Sequence, residues 1–230
     1  MKVASSLSIT VILLYWCAAF FHLGAVIGGN SFLLAVTKPL LMPLLIAWYF
    51  IATSNVRNSA HWLIMTALAF SCAGDVFLMY KTEQFFLLGL AAFLITHLLY
   101  IIAFNLEIKA AGGERLLKKK PYLALPAVAL AVFLISLIFN RIELAMRFPV
   151  IVYAMVITAM VISALNRFQK ISGQSFRLTL AGAVLFMFSD SLIAINKFYF
   201  NEDLRYAGFF IMLFYISGQY LIAKGTAKNN

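Results

Sequence analysis

The chain has 230 residues, of which 64% are hydrophobic and 11% are charged, and its formal net charge is +10. A water-soluble domain carries about 25% charged residues, so this composition excludes a soluble globular domain and indicates an integral membrane protein. The basic residues lie in short connections between apolar runs, which is typical of membrane topology and argues against a nucleic-acid partner.

Eight apolar segments are long enough to cross the hydrocarbon core, which takes roughly twenty residues of helix. The sequence therefore predicts an all-α integral membrane protein, a single bundle of eight transmembrane helices in one polytopic domain, 1–230. The first segment is longer than the apolar part of a secretory signal peptide, so we expect it to be retained. The predicted spans are 7–27, 31–52, 61–80, 84–105, 122–140, 147–165, 178–196 and 205–223.

Eight spans place both termini on one side of the membrane, and the loop charges indicate which side. The tails and the loops on the terminal side hold twelve Lys and Arg residues, against five in the opposite loops. This excess predicts that both termini are cytoplasmic. The twelve are Lys2, Arg57, Lys109, Arg115, Lys118, Lys119, Lys120, Arg167, Lys170, Arg177, Lys224 and Lys228, and the five are Lys81, Arg141, Arg147, Lys197 and Arg205.

Two of the eight acidic residues, Asp75 and Asp190, lie well inside apolar segments. Placing an ionisable side chain within a membrane costs free energy, and this cost favours a functional role for both aspartates. Counting from the predicted outer helix ends at 1.5 Å per residue places each about 8–9 Å deep, so we expect the two carboxylates to face one polar cavity. The alternative is that each carboxylate pairs with a basic residue, such as Lys38 or Lys197, and only joins helices.

Lys38 and His97 are further candidate site residues inside predicted spans. Lys38 precedes Pro39 and Pro43, and it either contributes to the site or extends to the outer surface of the membrane. His97 lies about midway along the fourth span, where it either takes part in the chemistry or forms a hydrogen bond between helices. The later spans add further candidates, each of which is otherwise a helix contact or an interfacial anchor: Tyr153, Asn196, Tyr215 and Gln219.

The sequence contains no pattern of a metal or cofactor site. No His, Cys and carboxylate cluster has metal-ligand spacing, and no Gly-rich phosphate loop is present, so we expect neither a metal nor a cofactor. Cys17 and Cys72 both fall in apolar segments, and we interpret them as small buried residues.

Five motifs follow one another along nearly the whole chain. They are Lys38-Pro39-Leu40, Gly74-Asp75-Val76-Phe77-Leu78-Met79, Phe93 with His97-Leu98-Leu99-Tyr100, Gly182 with Phe186-Met187-Phe188-Ser189-Asp190 and Lys197-Phe198, and Tyr215 with Gln219-Tyr220-Leu221-Ile222. In this order they resemble the YhhN-like family, which includes the animal transmembrane lysoplasmalogenases.

The resemblance implies hydrolysis of the vinyl-ether bond of a 1-alkenyl lysophospholipid, which gives a fatty aldehyde and glycerophosphocholine or glycerophosphoethanolamine. It implies a lysophospholipid substrate, the lipid bilayer as surroundings, and a multi-pass location in the cell membrane, which we expect to be a bacterial inner membrane. Asp75 and Asp190 are the expected catalytic acid and base, in an order that stays open. The expected substrate-binding residues are Lys38, His97, Tyr153, Asn196, Lys197, Tyr215 and Gln219.

Two other classes of function use buried carboxylates. A small proton-coupled transporter would use Asp, Lys and His as a proton relay. The spans lack Gly or Pro breaks at matching positions in two halves, which is less typical of a transporter. A non-catalytic lipid-binding membrane protein would use the carboxylates to join its helices.

Overall fold

The computed structural model describes residues 2–80, 82–112 and 114–227, with side chains from Ser6 onward. These residues form helices and turns and no β-strand. Eight helical segments are long and apolar enough to cross a membrane, which confirms the predicted all-α membrane fold. The α-helices are α1 (Lys2–Gly28), α2 (Ser31–Ala52), α3 (Ser59–Phe77), α4 (Glu83–Ala111), α5 (Leu116–Lys119), α6 (Leu125–Ile138), α7 (Leu144–Leu165), α8 (Gly173–Ala194) and α9 (Ala207–Ala227).

Shorter helical turns border two of the spans. The 3₁₀ turns Pro121–Ala124 and Phe139–Arg141 flank α6, and the π-helical turn Ile195–Tyr199 extends α8. The helix α5 has four residues and is too short to cross a membrane. The cytoplasmic location of both termini stays a prediction, and of the basic residues behind it, Lys81, Lys228 and the Lys2 side chain lie outside the described part of the chain.

The helices that carry the two aspartates end differently from their predicted spans. The helix α3 ends at Phe77 rather than at residue 80, because residues 78–80 form a turn that donates to carbonyls of the last helical residues. Asp75 therefore lies two residues before the end of α3. Asp190 is followed by four further residues of α8 and then by the π-helical turn. The predicted equal distance of the two aspartates from their helix ends is therefore wrong.

The two cysteines are more accessible than expected. Cys17 is exposed on α1, so its interpretation as a buried residue is wrong, and Cys72 on α3 is half-buried. The physical reason at Cys17 is that only 22% of the first span is buried, so most of its side chains face outward.

The described residues form two compact units. The first comprises the residues up to Ala103 with Thr226 and Ala227, and the second is Phe104–Gly225. The helix α4 contributes its first part to one unit and its last turns to the other. The expectation of a single domain stays a prediction.

A buried ion pair joins several helix ends in the second unit. Arg167 Nη2 lies 2.7 Å from Glu107 Oε2, and the two side chains are 0% and 6% exposed. The same Nη2 donates to Ser175 Oγ at 3.2 Å, and Ser175 Oγ donates to the Gly225 carbonyl at 2.5 Å. The last turn of α4, the chain after α7, the start of α8 and the end of α9 are thus connected through charged and polar groups.

Glycines allow the backbone of α8 to lie in direct contact with the backbone of α9. A Cβ at Gly182 would lie 2.6 Å from the Gly218 carbonyl oxygen and 2.7 Å from the Ile222 nitrogen. A Cβ at Gly218 would in turn lie 2.9 Å from the Gly182 carbonyl oxygen. Small residues at such crossings are the usual means of helix packing in a membrane, where no hydrophobic force drives helices together.

We expect Gly182→Ala to destabilise the protein by about 1–3 kcal/mol, because the added methyl group meets the backbone of α9 and α8 must move away. The measurement is the thermal unfolding midpoint of the detergent-purified protein, which should fall relative to the unchanged chain.

The matched control is Gly24→Ala in α1, since a Cβ at Gly24 meets no atom within 4 Å. There the substitution should be neutral or slightly stabilising, because alanine favours a helix over glycine by about 0.5–1 kcal/mol. Equal unfolding midpoints for the two variants would show that α8 and α9 are not in close contact.

Candidate functional site

Asp190 and Tyr153 form a hydrogen bond between α8 and α7. The Tyr153 hydroxyl donates to Asp190 Oδ2. A phenol that donates to a carboxylate gives a charge-assisted hydrogen bond, which is stronger than a bond between two neutral groups. The structure therefore brings together two of the predicted site residues, which are separated by 36 other residues of the chain.

This pair lines a small cavity of about 60 Å³ between α6, α7 and α8. Its walls are otherwise mainly aliphatic, and its lining includes Ala131, Ile135, Ile138, Val150, Ala154, Ile157 and Met187. An apolar environment has a low effective dielectric constant, which strengthens electrostatic interactions between the carboxylate and a bound charge. The cavity is therefore suited to stabilising a positive charge that develops next to Asp190.

The serines on either side of Asp190 bond to backbone carbonyls. Ser191 Oγ donates to the Met187 carbonyl at 2.6 Å, and Ser189 Oγ donates to the Ile211 carbonyl of α9 at 3.0 Å. The first bond stays within α8, and the second joins α8 to α9. Both serines thus contribute to positioning the helical turn that carries Asp190.

The chain after Asp190 folds into the π-helical turn and a loop. Asn196 Oδ1 accepts from the Leu204 N–H at 3.1 Å, and the Asn196 carbonyl accepts from the Glu202 N–H at 2.7 Å. Lys197 Nζ lies 3.8 Å from Glu202 Oε1. Asn196 is therefore engaged in holding the loop, and Lys197 lies at the same end of α8. Single π-helical turns of this kind are frequent at functional sites.

Two arginines whose sequence positions indicated only membrane topology lie at this same end. The Arg141 guanidinium lies 4.4 Å from the centre of the Tyr199 ring. Arg147 Nε donates to the Ile142 carbonyl at 3.2 Å, and its guanidinium lies 4.6 Å from the Phe139 ring. The position of both arginines at the ends of the short connection between two spans is the pattern that could have identified them.

Tyr215 and Gln219 are one turn apart on α9 in the same unit. Both are buried, with 3% and 0% of their surface exposed. The Tyr215 ring meets the Phe186 ring of α8 edge to face, with centroids 5.4 Å apart. The aromatic contact orients Tyr215 against the helix that carries Asp190.

Asp75 and His97 lie in the first unit, on α3 and α4, and both are buried. One turn before Asp75, Ser71 Oγ donates to Thr96 Oγ1 at 3.1 Å. A Cβ at Gly74 would lie 2.7 Å from the Phe93 ring, so the glycine lets α4 pack closely beside Asp75. These contacts fix the part of α3 that carries the carboxylate.

Lys38 is half-buried on α2 in the first unit, between Thr37 and Pro39. His22 Nδ1 lies 2.9 Å from Thr37 Oγ1. Because Pro43 has no N–H, the Pro39 carbonyl one turn earlier lacks its usual hydrogen bond within the helix. The Cys72 thiol of α3 lies 3.8 Å from this carbonyl and donates to it instead. The prolines of α2 therefore create a polar contact between two helices close to Lys38.

The predicted site residues thus divide between the two units. Tyr153, Asp190, Asn196, Lys197, Tyr215 and Gln219 lie in the second, and Lys38, Asp75 and His97 lie in the first. A cavity shared by Asp75 and Asp190 stays a prediction. Among the described residues, no group of three His, Cys, Asp or Glu side chains could hold a metal ion.

Comparisons with known proteins identify relatives along most of the chain. Residues 33–226 match the YhhN family. The mouse protein named lysoplasmalogenase TMEM86B is 28% identical over 213 residues, which cover 93% of this chain and 84% of the relative. The bovine protein named lysoplasmalogenase TMEM86A is 30% identical over 196 residues, which cover 82% and 76%. No solved structure matches the chain.

We expect Tyr153→Phe to cost about 1–3 kcal/mol of stability, because it removes the phenol that donates to a carboxylate in an apolar cavity. In a double-mutant cycle with Asp190→Leu, the two losses should not add, and a coupling energy of about 0.5–3 kcal/mol should remain. The measurement is equilibrium unfolding in mixed micelles. Tyr122→Phe is the matched control, since Tyr122 is 58% exposed. Additive losses at Tyr153 and Asp190 would contradict the hydrogen bond.

Proposed function

The chain belongs to the YhhN family, as its motifs predicted, and we propose that it is a multi-pass membrane enzyme that hydrolyses the vinyl-ether bond of a 1-alkenyl lysophospholipid. The products are a fatty aldehyde and glycerophosphocholine or glycerophosphoethanolamine. The names of the mouse and bovine relatives support this activity. We further propose that the enzyme lies in the cell membrane, as a bacterial inner-membrane protein.

The observation that carries the proposal is the hydrogen bond from Tyr153 to Asp190 in an apolar cavity within a membrane-spanning unit. A hydrogen bond donated to a carboxylate favours its ionised form over the neutral acid. Such a carboxylate suits a reaction with a cationic, oxocarbenium-like intermediate, as in the hydrolysis of glycosides. We therefore propose that Asp190 is the ionised carboxylate and that Asp75 is the acid.

In the first step, the Asp75 carboxylic acid gives its proton to the second carbon of the alkenyl chain. The carbon–carbon double bond is consumed as the new C–H bond forms, and the first carbon becomes an oxocarbenium centre conjugated to the ether oxygen. The Asp190 carboxylate stabilises this positive charge electrostatically, and the donor Tyr153 keeps the carboxylate oriented.

In the second step, water adds to the first carbon and its proton passes to Asp190, which leaves a neutral hemiacetal. The hemiacetal hydroxyl then returns a proton to the Asp75 carboxylate as the carbonyl of the aldehyde forms. Asp190 gives its proton to the departing glycerol oxygen, so both carboxyl groups regain their starting states. Each group thus acts once as acid and once as base.

The remaining predicted residues are proposed to hold the lysophospholipid. Lys38 and Lys197 are proposed to attract the anionic head group through their positive charge, without a direct contact to the phosphate being assigned to either. Four residues carry amide, phenol or imidazole groups that are proposed to form hydrogen bonds to the glycerol and to the attacking water. They are Asn196, Tyr215, Gln219 and His97.

We expect Asp75→Asn and Asp190→Asn each to reduce aldehyde release from lysoplasmalogen at least about 10²-fold, the loss typical of a missing general acid or base. The double variant should lose about as much as either single variant, because residues that act as one unit are not additive. The measurement is aldehyde formation by the purified protein in mixed micelles.

The matched control is Asp203→Asn, which makes the same chemical change at an exposed residue and should leave the rate unchanged. A full rate for either membrane-embedded Asp→Asn variant would refute the assignment of that carboxylate. Absence of aldehyde from the unchanged protein, together with substrate counterflow in liposomes, would favour a transporter instead.

A further inference from the structure

The helix α6 is covered by little of the protein. Only 6% of the span Pro121–Arg141 is buried, whereas the other seven spans are 22% to 50% buried. Within α6, Ile138 is the single buried residue. A helix this exposed is in contact with lipid over most of its surface, and its inner side faces α7.

Between α6 and α7 lies a cleft of about 610 Å³. Its walls are apolar, and the few hydroxyl groups are bonded to their own helices: Thr158 Oγ1 donates to the Ala154 carbonyl at 2.6 Å, and Ser136 Oγ donates to the Phe133 carbonyl at 2.7 Å. Val132 and Met155 at its walls are 63% and 59% exposed. The cleft therefore offers a hydrocarbon surface that opens sideways to the membrane.

The cleft adjoins the cavity of Asp190. Ala131, Ile135 and Ala154 line both spaces, and Ala154 directly follows Tyr153 in the chain. Ala131 and Ala154 are the small residues at the junction, where the cleft and the cavity meet. A molecule in the cleft thus lies next to the cavity that the carboxylate lines.

The length of the cleft fits a lipid chain. From Val128 to Phe139 it follows α6 for about 16 Å at 1.5 Å per residue. This is about half of the roughly 30 Å thickness of the hydrocarbon core, which is the part that the chains of one leaflet occupy.

The charges at one end of the cleft fit a phosphate. Asn140 lines that end and directly precedes Arg141 in the chain. The Arg147 guanidinium lies 4.6 Å from the centre of the ring of Phe139, which also lines that end. The other end, at Val128 and Ile162, is apolar. A lysophospholipid has the same polarity, with an anionic head group at one end and a hydrocarbon chain at the other.

We infer that the cleft between α6 and α7 binds the alkenyl chain of the lysophospholipid, with the phosphate at Arg141 and Arg147 and the vinyl ether at the junction beside Asp190. This inference rests on the proposed hydrolase function. The chain enters sideways from the bilayer, and the distal part of the cleft, at Thr158 and Ala159, sets the longest chain that binds fully.

The test is Ala159→Phe, which fills the distal cleft, assayed on a hexenyl and a hexadecenyl lysoplasmalogen. Because the ring displaces at least two methylene groups of the long chain, kcat/KM for the hexadecenyl substrate should fall about tenfold or more. The value for the hexenyl substrate, whose chain is too short to reach Ala159, should stay the same. The matched control is Ala129→Phe on α6, since Ala129 is exposed and outside the cleft.

A second readout separates this inference from the proposed function. A lysophospholipid with a photoreactive group at the end of its chain should label residues 128–162 of the unchanged protein, and Ala159→Phe should abolish that labelling. Labelling of this segment by an inactive protein would refute the hydrolase and support the cleft. An unchanged chain-length profile in an active Ala159→Phe enzyme, or labelling elsewhere, would overturn the cleft assignment.

Discussion

The close contact of α8 with α9 is the constraint on which the second unit depends. Lipid is as apolar as a leucine side chain, so helices in a membrane gain stability from van der Waals contact and hydrogen bonds rather than from burial. Gly182 and Gly218 provide that contact at backbone distance. Ser189, one residue before the catalytic candidate, adds a hydrogen bond to α9. The orientation of Asp190 therefore follows from the packing of its helix and not from a flexible loop.

The buried ion pair of Arg167 and Glu107 stabilises the other end of the same helix. Two charges removed from water are stable only when they are paired and further hydrogen-bonded. Arg167 satisfies this by bonding to Ser175 at the start of α8 as well as to Glu107. α8 is thus held by polar contacts near its first turn and near Asp190, while α6 is almost uncovered. The unit thus combines a firmly packed helix that carries Asp190 with a largely uncovered helix that lines the cleft.

Much of the fold could be predicted from apolar length alone, because roughly twenty residues of helix must cross the hydrocarbon. The ends of the spans could not be predicted in this way, because charged residues were assumed to lie outside the spans. Glu107 and Arg167 were therefore assigned to connections, although their pairing lets α4 continue to Ala111. Asp190 could be identified as a candidate site residue because placing a carboxylate in an apolar span costs free energy. Its pairing with Tyr153 depends on the rotation of α7 against α8, which sequence spacing does not determine.

The proposed role of Arg141 and Arg147 in binding phosphate could not be predicted for a related reason. Basic residues at span ends are explained by membrane topology, so a second role for them is visible only once the folded chain places them beside Tyr199 and Phe139. Their position has a consequence for the proposed chemistry. The vinyl ether of a lysophospholipid lies where the apolar chain meets the glycerol, and water is available only from the polar side. The proposed arrangement, with an apolar cleft beside the cavity and the two arginines toward the polar end of that cleft, would receive the chain from the bilayer and water from the opposite direction. The depth at which a lysolipid rests in the membrane would then position its scissile bond beside Asp190.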